Sequence, residues 1–253
     1  KQTRLLVSVN ELRAFNSAAA TGYPLLYYVV SCTNQQLRLL QYPLEWVPPF
    51  EKALQELAVT LNDEASGLDL SRHRLHIGLE GAFGDLHVTP RSLSARHLSH
   101  MVCLDGIVTS CSLIRPKLMR SVHWSETGKT FLAKEYQDAT MVLPGGTAPM
   151  AGTNAYPTED DQHGRLTSEY GLSTYRDYQS VTVQEMPERA PPGQLPRSVD
   201  VILDQDLVDT VKPGDRARIV GIYRGMAGAV MNQQVPSVFR AVLVANSVRP
   251  VGA

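Results

Sequence analysis

Arg115, Lys117 and Arg120 fall within six residues, and His123 and Trp124 follow directly. Cationic groups at this density beside aromatic rings suit a nucleic acid. The charges meet phosphates and the rings stack on bases, as in small β-barrels that bind single strands. Arg197, Arg216, Arg218, Arg224 and Arg240 could add charge from neighbouring strands. The same pattern equally describes a solvated face. The formal net charge of −1 argues against a general polyanion binder, which would be basic overall.

Other reactive side chains point to less. His73 with His76 and His97 with His100 form two H-x-x-H pairs, but zinc usually takes four ligands and no cysteine pair lies near either. Both pairs read as satisfied histidines, and no metal site is expected. Asp204, Asp206 and Asp209 border a short helical turn, where capping is preferred over cation binding. Gly78, Gly81 and Gly84 lack the following Lys-Ser or Lys-Thr of a phosphate loop and read as a tight connection. No G-x-S-x-G and no recognisable nucleophilic cysteine occurs.

The 253 residues are 43% hydrophobic and 19% charged, enough for one large or two modest domains with a real core. Cys32, Cys103 and Cys111 form no pairing pattern and suggest free thiols in a reducing compartment. No apolar stretch is long enough to span a bilayer as a helix, so no membrane partner is expected. Lys1 is not a methionine, and the chain reads as part of a longer protein.

Positioning elements follow from periodicity. Leu5, Val7 and Val9 alternate, and Asn10 could cap a helix over 11–15. Pro48-Pro49 opens the clearest helix, with Phe50, Leu54, Leu57, Ala58 and Leu61 on one face. From about His97 the pattern is all-β, with strands at 101–104, 106–113 and 118–124 and a turn at Arg115-Pro116-Lys117. Thr127-Gly128-Lys129 is a hairpin turn into a strand at 130–136. Val181 and Val183 alternate in a strand over 174–186, and Val199, Val201 and Leu203 share a face in another. Between these two strands Pro187, Pro191, Pro192 and Pro196 make a stiff loop, since each ring fixes φ and extends the residue before it. Pro213-Gly214 fits a type II turn before a strand at 216–223 with Ala217, Ile219 and Tyr223 on one side. Such spacing reads as a small Greek-key barrel.

The stretch QEMPERAPPGQLPRSVDVILDQDLVDTVKPGDR resembles the N-terminal region of the minichromosome maintenance replicative helicase family, in particular its subunit 3 branch. DGIVTSCSLIRPKLMRSVHW, YPTED and SEYGLSTYRDYQ are similar to the same branch. The resemblance implies an α+β chain with a helical A subdomain over 1–92 and an OB-fold β-barrel over 93–253. A ribbon-like insertion over 118–178 would interrupt the barrel. It implies an allosteric communication loop over 184–197, with Gln184, Glu185, Pro187, Glu188, Gln194, Pro196 and Arg197. It implies a channel hairpin over 225–238, with Arg224, Met226, Asn232 and Gln233 at or near it. Arg115, Lys117, Arg120 and Arg197 would contact DNA, single- or double-stranded.

The partners implied are other family subunits in a hetero-hexameric ring, with subunits 5 and 7 as neighbours, and a second ring head to head in the nucleus. ATP and magnesium belong to an ATPase domain that these residues lack, since no Walker-type lysine loop occurs. Residues 118–178 contain no cysteine, so the insertion cannot hold zinc in the family's four-cysteine manner. The hairpin tip GMAGAVMNQQV has no Lys or Arg, and residues 23–38 have no good family counterpart. A purely structural protein–protein module of the ring, without DNA contact, is the alternative.

Overall fold

The computed structural model describes residues 4–10, 35–61, 75–136, 156–159, 164–226 and 239–251. In chain order these form β1 (Arg4–Ser8), α1 (Gln35–Gln41), α2 (Pro43–Leu61), β2 (His76–Glu80), β3 (His87–Val88), β4 (Met101–Cys111) and β5 (Arg115–Ser125). There follow β6 (Thr130–Glu135), β7 (Leu166–Ser168), β8 (Thr174–Gln184), β9 (Ser198–Asp204), β10 (Arg216–Met226) and β11 (Arg240–Pro250). The helix expected over 11–15 and most of 23–38 lie outside the described residues.

Five strands carry the architecture. β4 pairs antiparallel with β10, β10 antiparallel with β11, and β11 parallel with β9. β9 pairs antiparallel with β8, and β8 comes back to β4 between Ile107↔Gln184 and Cys111↔Val181. The pairings therefore trace a circuit. Gly106 permits its last step: a Cβ there would lie 2.4 Å from Val183 Cγ1 and 2.6 Å from the Gln184 carbonyl oxygen.

Alternation along the strands builds two cores. Val102, Leu104 and Val108 of β4 meet Val181 and Val183 of β8, Val201 and Leu203 of β9, Ala217 and Ile219 of β10, and Leu243 of β11. Met101, Cys103, Val220 and Ile222 point the other way, under Leu39, Leu40 and Val47 of the helices and Ile77 and Leu79 of β2. Covering both faces explains why Met101–Leu104 is unbroken apolar sequence rather than an alternating one.

A β-bulge joins these layers. The β10–β11 register shifts between Val220 and Gly221, which leaves Asn246 unopposed. Its amide turns to β2 and acts as a peptide group would. Nδ2 donates to the Ile77 carbonyl and Oδ1 accepts from the Leu79 N–H, both at 2.8 Å. Ser247 Oγ donates to the Leu79 carbonyl, and Arg4 of β1 donates to Asp206 at 2.8 and 3.0 Å. β1 and β2, paired in parallel, are thereby fixed to the circuit.

Three local expectations change. The helix starts at Pro43, so Pro48 and Pro49 lie inside it. The missing N–H groups at 48 and 49 cost two helical bonds, yet buried Val47, with Leu44 and Trp46, packs the preceding turn into the second core. Arg115-Pro116-Lys117 is not a turn but the start of β5, paired with Asp177 and its neighbours in β8. Proline is tolerated there because β6 pairs only from Arg120, and among the described residues no strand pairs with the other edge of β5 at Pro116. Asp206 binds Arg4 instead of capping, and Asp204 makes no capping bond. A guanidinium fork outcompetes a single backbone N–H.

β5, β6 and β7 extend away from the circuit, with the expected hairpin turn between Ser125 and Thr130. A polar knot holds them. His123, 1% exposed, shares its Nε2 with Ser121 Oγ at 2.8 Å and its Nδ1 with Ser168 Oγ at 3.3 Å. Tyr136 reaches Ser121, and Tyr156 reaches Ser168 and stands edge-on to the imidazole. Burial, then the Lys134 charge, lowers the His123 pKa, and burial, then Arg96, lowers that of His97. Below pH of about 6.5 the unfolded chain therefore takes up protons that the folded one refuses. Stability is expected to hold above that pH and to fall below it, by at most about 1.4 kcal/mol per pH unit for each histidine. Thermal melts of wild type and His123→Gln between pH 7.5 and 5 check this: the substitution should flatten the acid limb.

Candidate nucleic-acid interface and the proline loop

The start of β5 is placed by the turn before it. Buried Gln179 donates its amide to the Ser112 carbonyl at 3.0 Å and accepts from the Asp209 N–H at 2.9 Å. Ser112 exchanges further bonds with Ser180. From this pinned turn Arg115 stands opposite Tyr178 and Lys117 opposite Arg176. A register shift after Leu118 then sets Arg120 opposite Thr174. Thr174, Arg176 and Tyr178 share one side of β8, so the shift keeps Arg120 on the side of Arg115 and Lys117. Lys117 Nζ lies 5.5 Å from the Tyr178 ring centroid, a cation–π distance. Arg115 and Arg120 are exposed.

Other expected contributors separate from this face. Arg197 sits at the far end of the β8–β9 ladder, beyond Gln184↔Ser198, whereas Tyr178↔Asp204 marks the near end. At about 3.3 Å per residue those ends are roughly 20 Å apart. Arg216, Arg218 and Arg240 are paired with Glu188, Asp105 and Asp200. His123 is buried in its knot and Trp124 packs on Phe131, with centroids 4.7 Å apart, so neither offers a free platform beside the cations. Tyr178, which sequence reading passed over, is the ring at the site.

The loop after β8 is tethered as well as stiff. The Glu185 N–H donates to the Arg197 carbonyl and closes its base. Pro187–Arg189 forms a 3-10 turn, and Glu188 of that turn pairs with Arg216. The Glu185 carboxylate, with the residue only 3% exposed, receives Arg91 Nε at 3.0 and 3.1 Å. The same guanidinium donates to Gln194 Oε1 and to the Leu195 carbonyl. Leu195 itself is 89% exposed, and Pro196 and Arg197 are exposed too.

Asp105 ties the turn to the sheet. Its carboxylate, with the residue 4% exposed, accepts Arg218 Nε at 2.8 Å, Arg218 Nη2 at 3.2 Å and His87 Nε2 at 2.8 Å, and Arg189 lies 3.6 Å away. Burial pushes its pKa up, but the hydrogen bonds and charges of Arg218 and His87 outweigh that and hold it below the usual carboxylate range. His87, Cys103 and Asp105 also cluster closely enough for a metal ion. The donors do not suit one: burial, then Asp105, pushes the Cys103 thiol up to about 12, and Asp105 already serves two guanidiniums. An aspartate inside an apolar strand was the signal for this hub. Nothing local marks Arg91.

The H-x-x-H histidines have other partners. His76 donates to Glu51 at 2.9 Å, His97 Nδ1 accepts from the Ser94 N–H, and His100 donates to the Leu98 carbonyl. His73 lies outside the described residues. Arg224 and Met226 end β10 opposite Val242 and Arg240, while Asn232 and Gln233 lie outside the described residues. Among the described residues no helix is long and apolar enough to cross a membrane.

Comparison with known proteins matches this arrangement to a family. The model of the MCM OB domain matches residues 87–227, which hold β3 to β10. The DNA replication licensing factor mcm3 of Schizosaccharomyces pombe is 47% identical over 251 residues, 99% of this chain and 26% of that protein. The factor MCM3 of Gallus gallus is 43% identical over 246 residues, 96% of this chain and 27% of that protein. The MCM3 homolog 1 of Zea mays is 40% identical over 250 residues, 98% of this chain and 29% of that protein. The chain thus spans about a quarter of the length of the curated relatives it matches. Since the OB-domain match covers more than half of the sequence, the chain belongs to the MCM family.

Proposed function

We propose that this chain is the N-terminal tier of one subunit of a hexameric replicative DNA helicase. Its work is ring and double-ring assembly, DNA encirclement during replication, and coupling to the ATPase tier. The observation that carries the DNA-binding part is the β5–β8 face, where Arg115, Lys117 and Arg120 stand opposite Tyr178, Arg176 and Thr174 and Lys117 lies over the Tyr178 ring. The relatives' name, DNA replication licensing factor, supports the process.

In this reading the strand circuit is a closed OB barrel, the helices with β1 and β2 form an A subdomain, and β5 to β7 belong to a ribbon inserted without zinc. The loop over 184–197 passes the ATPase state to the barrel, with Leu195 as its apolar contact. The channel hairpin belongs to this reading at 225–238, of which 227–238 lie outside the described residues. Other MCM subunits, with 5 and 7 adjacent, complete a nuclear ring that meets a second ring head to head. ATP and magnesium act in the ATPase domain.

The test is affinity of the assembled ring for single-stranded DNA across salt. Arg115→Ala with Lys117→Ala is expected to weaken binding about tenfold or more at moderate salt and to reduce the salt slope by about two. Unchanged affinity and slope would remove the DNA role. The second reading, a protein-contact module, is favoured by the exposed Phe131, Tyr170 and Leu172 around β5–β7. It predicts that those residues, and not the cations, control assembly.

A further inference from the structure

We propose that Arg91 is a latch that holds the communication loop as one body. The proposal rests on the coupling role read above. A loop with four prolines is stiff locally, but proline restrains only its own φ and the residue before it. It does not stop the whole loop from swinging about its two ends. What would stop that is a bond from both of the loop's limbs to something outside it.

Arg91 supplies it. Nε faces both oxygens of Glu185 at the loop's first limb, while Nη1 reaches Gln194 and Nη2 reaches the Leu195 carbonyl on its returning limb. One planar guanidinium therefore bridges both limbs, a geometry that a lysine's point charge cannot reproduce. Its own backbone is held in a turn, with the Ser92 and Leu93 N–H groups both donating to the Thr89 carbonyl, behind buried Pro90. β3, just before it, is paired with β4. The latch thus connects the loop's returning limb to the strand circuit by a route that leaves out β8 and β9. It fixes the backbone of Leu195, the exposed apolar residue that a neighbouring domain would touch.

The test uses the full-length protein in its assembled complex and three variants: Arg91→Ala, Arg91→Lys, and Arg91→Leu combined with Glu185→Leu. The double variant removes the unpaired buried carboxylate that Arg91→Ala leaves behind. Hydrogen exchange is read over residues 190–197 and over β4 and β10. All three variants are expected to raise exchange at 190–197 by about tenfold or more, the factor that loss of charge-assisted hydrogen bonds carries. β4 and β10 should stay protected. Arg91→Lys, which keeps Glu185 compensated, should leave β8 unchanged as well.

Unchanged exchange at 190–197 in Arg91→Lys and the double variant would overturn the latch. So would a rise matched in β4 and β10, since that reports loss of the fold. DNA unwinding per ATP hydrolysed is measured on the same samples. A loosened loop with reduced unwinding supports the latch and the coupling role together. A loosened loop with unwinding unchanged supports the latch and removes the coupling role.

Discussion

An Arg218→Ala variant is expected to lose about 3 kcal/mol of unfolding free energy, and Asp105→Asn distinctly less. The two partners of this ion pair are not equally placed. Asp105 is buried, while the Arg218 side chain is 42% exposed. Removing the arginine leaves a carboxylate in the protein interior with the His87 hydrogen bond and the more distant Arg189 as its remaining partners. Removing the carboxylate leaves cations that water can reach, so the cost is smaller. At about 2–4 °C per kcal/mol for a chain of this size, the Arg218 variant should melt roughly 6–12 °C lower.

The pH dependence separates this account from a loss of packing. In wild type the folded carboxyl titrates below its unfolded value, so its contribution is present above about pH 4 and is lost as pH falls through the lower, folded pKa. Without Arg218, burial is opposed by His87 alone, so the downward shift shrinks and the acid limb of stability should move to higher pH. Melts of the three proteins from pH 7 to 3 check both statements. If Asp105→Asn proves as damaging as Arg218→Ala, the hub's strength lies in hydrogen-bond geometry and not in compensation of a buried charge.

The strands were legible where one face is buried and the other is not. Val181 and Val183, and Val201 and Leu203, lie in the first core as their alternation predicts. The turn at Pro213-Gly214 is present, with Gly214 at φ 98° and the Asp215 N–H bonded to the Lys212 carbonyl. Met101–Leu104 could be recognised as buried, but not as the wall between two cores, because unbroken apolar sequence does not say what covers each face. Pro48-Pro49 misled because tertiary packing of Val47, Leu44 and Trp46 carries the helix through residues that usually begin one. Arg115, Lys117 and Arg120 were found by density alone. Their shared face depends on a register shift that periodicity cannot show. Arg91 and Glu185 are 94 residues apart, and no local pattern connects them. Arg197 illustrates the converse: nearness in type to the β5 cations, without nearness in space.

On the proposed coupling role, replacing Pro187, Pro191, Pro192 and Pro196 by glycine in the full-length protein of the assembled complex is expected to leave the fold intact and to abolish most DNA unwinding while ATP hydrolysis continues. The fold should survive because the loop's base is closed independently, by the Glu185–Arg197 backbone bond and the β8–β9 ladder behind it. Buried Met186 lies just before the substituted stretch and keeps its packing. Each proline withholds about 0.4–1 kcal/mol of chain freedom, so four glycines return roughly 2–4 kcal/mol or more of it to the loop. That is comparable to the charge-assisted bonds of one guanidinium, so the tethers at Arg91 and Arg216 should no longer hold a single loop conformation. Alanine at the same four positions gives the graded control, because it restores an N–H and some φ freedom without the full range of glycine. Unwinding per ATP should therefore fall in the order wild type, alanine, glycine. Equal coupling in all three would mean that the loop transmits nothing through its stiffness. A lower melting temperature in the glycine variant, matched by lost hydrolysis, would mean that the prolines serve folding instead.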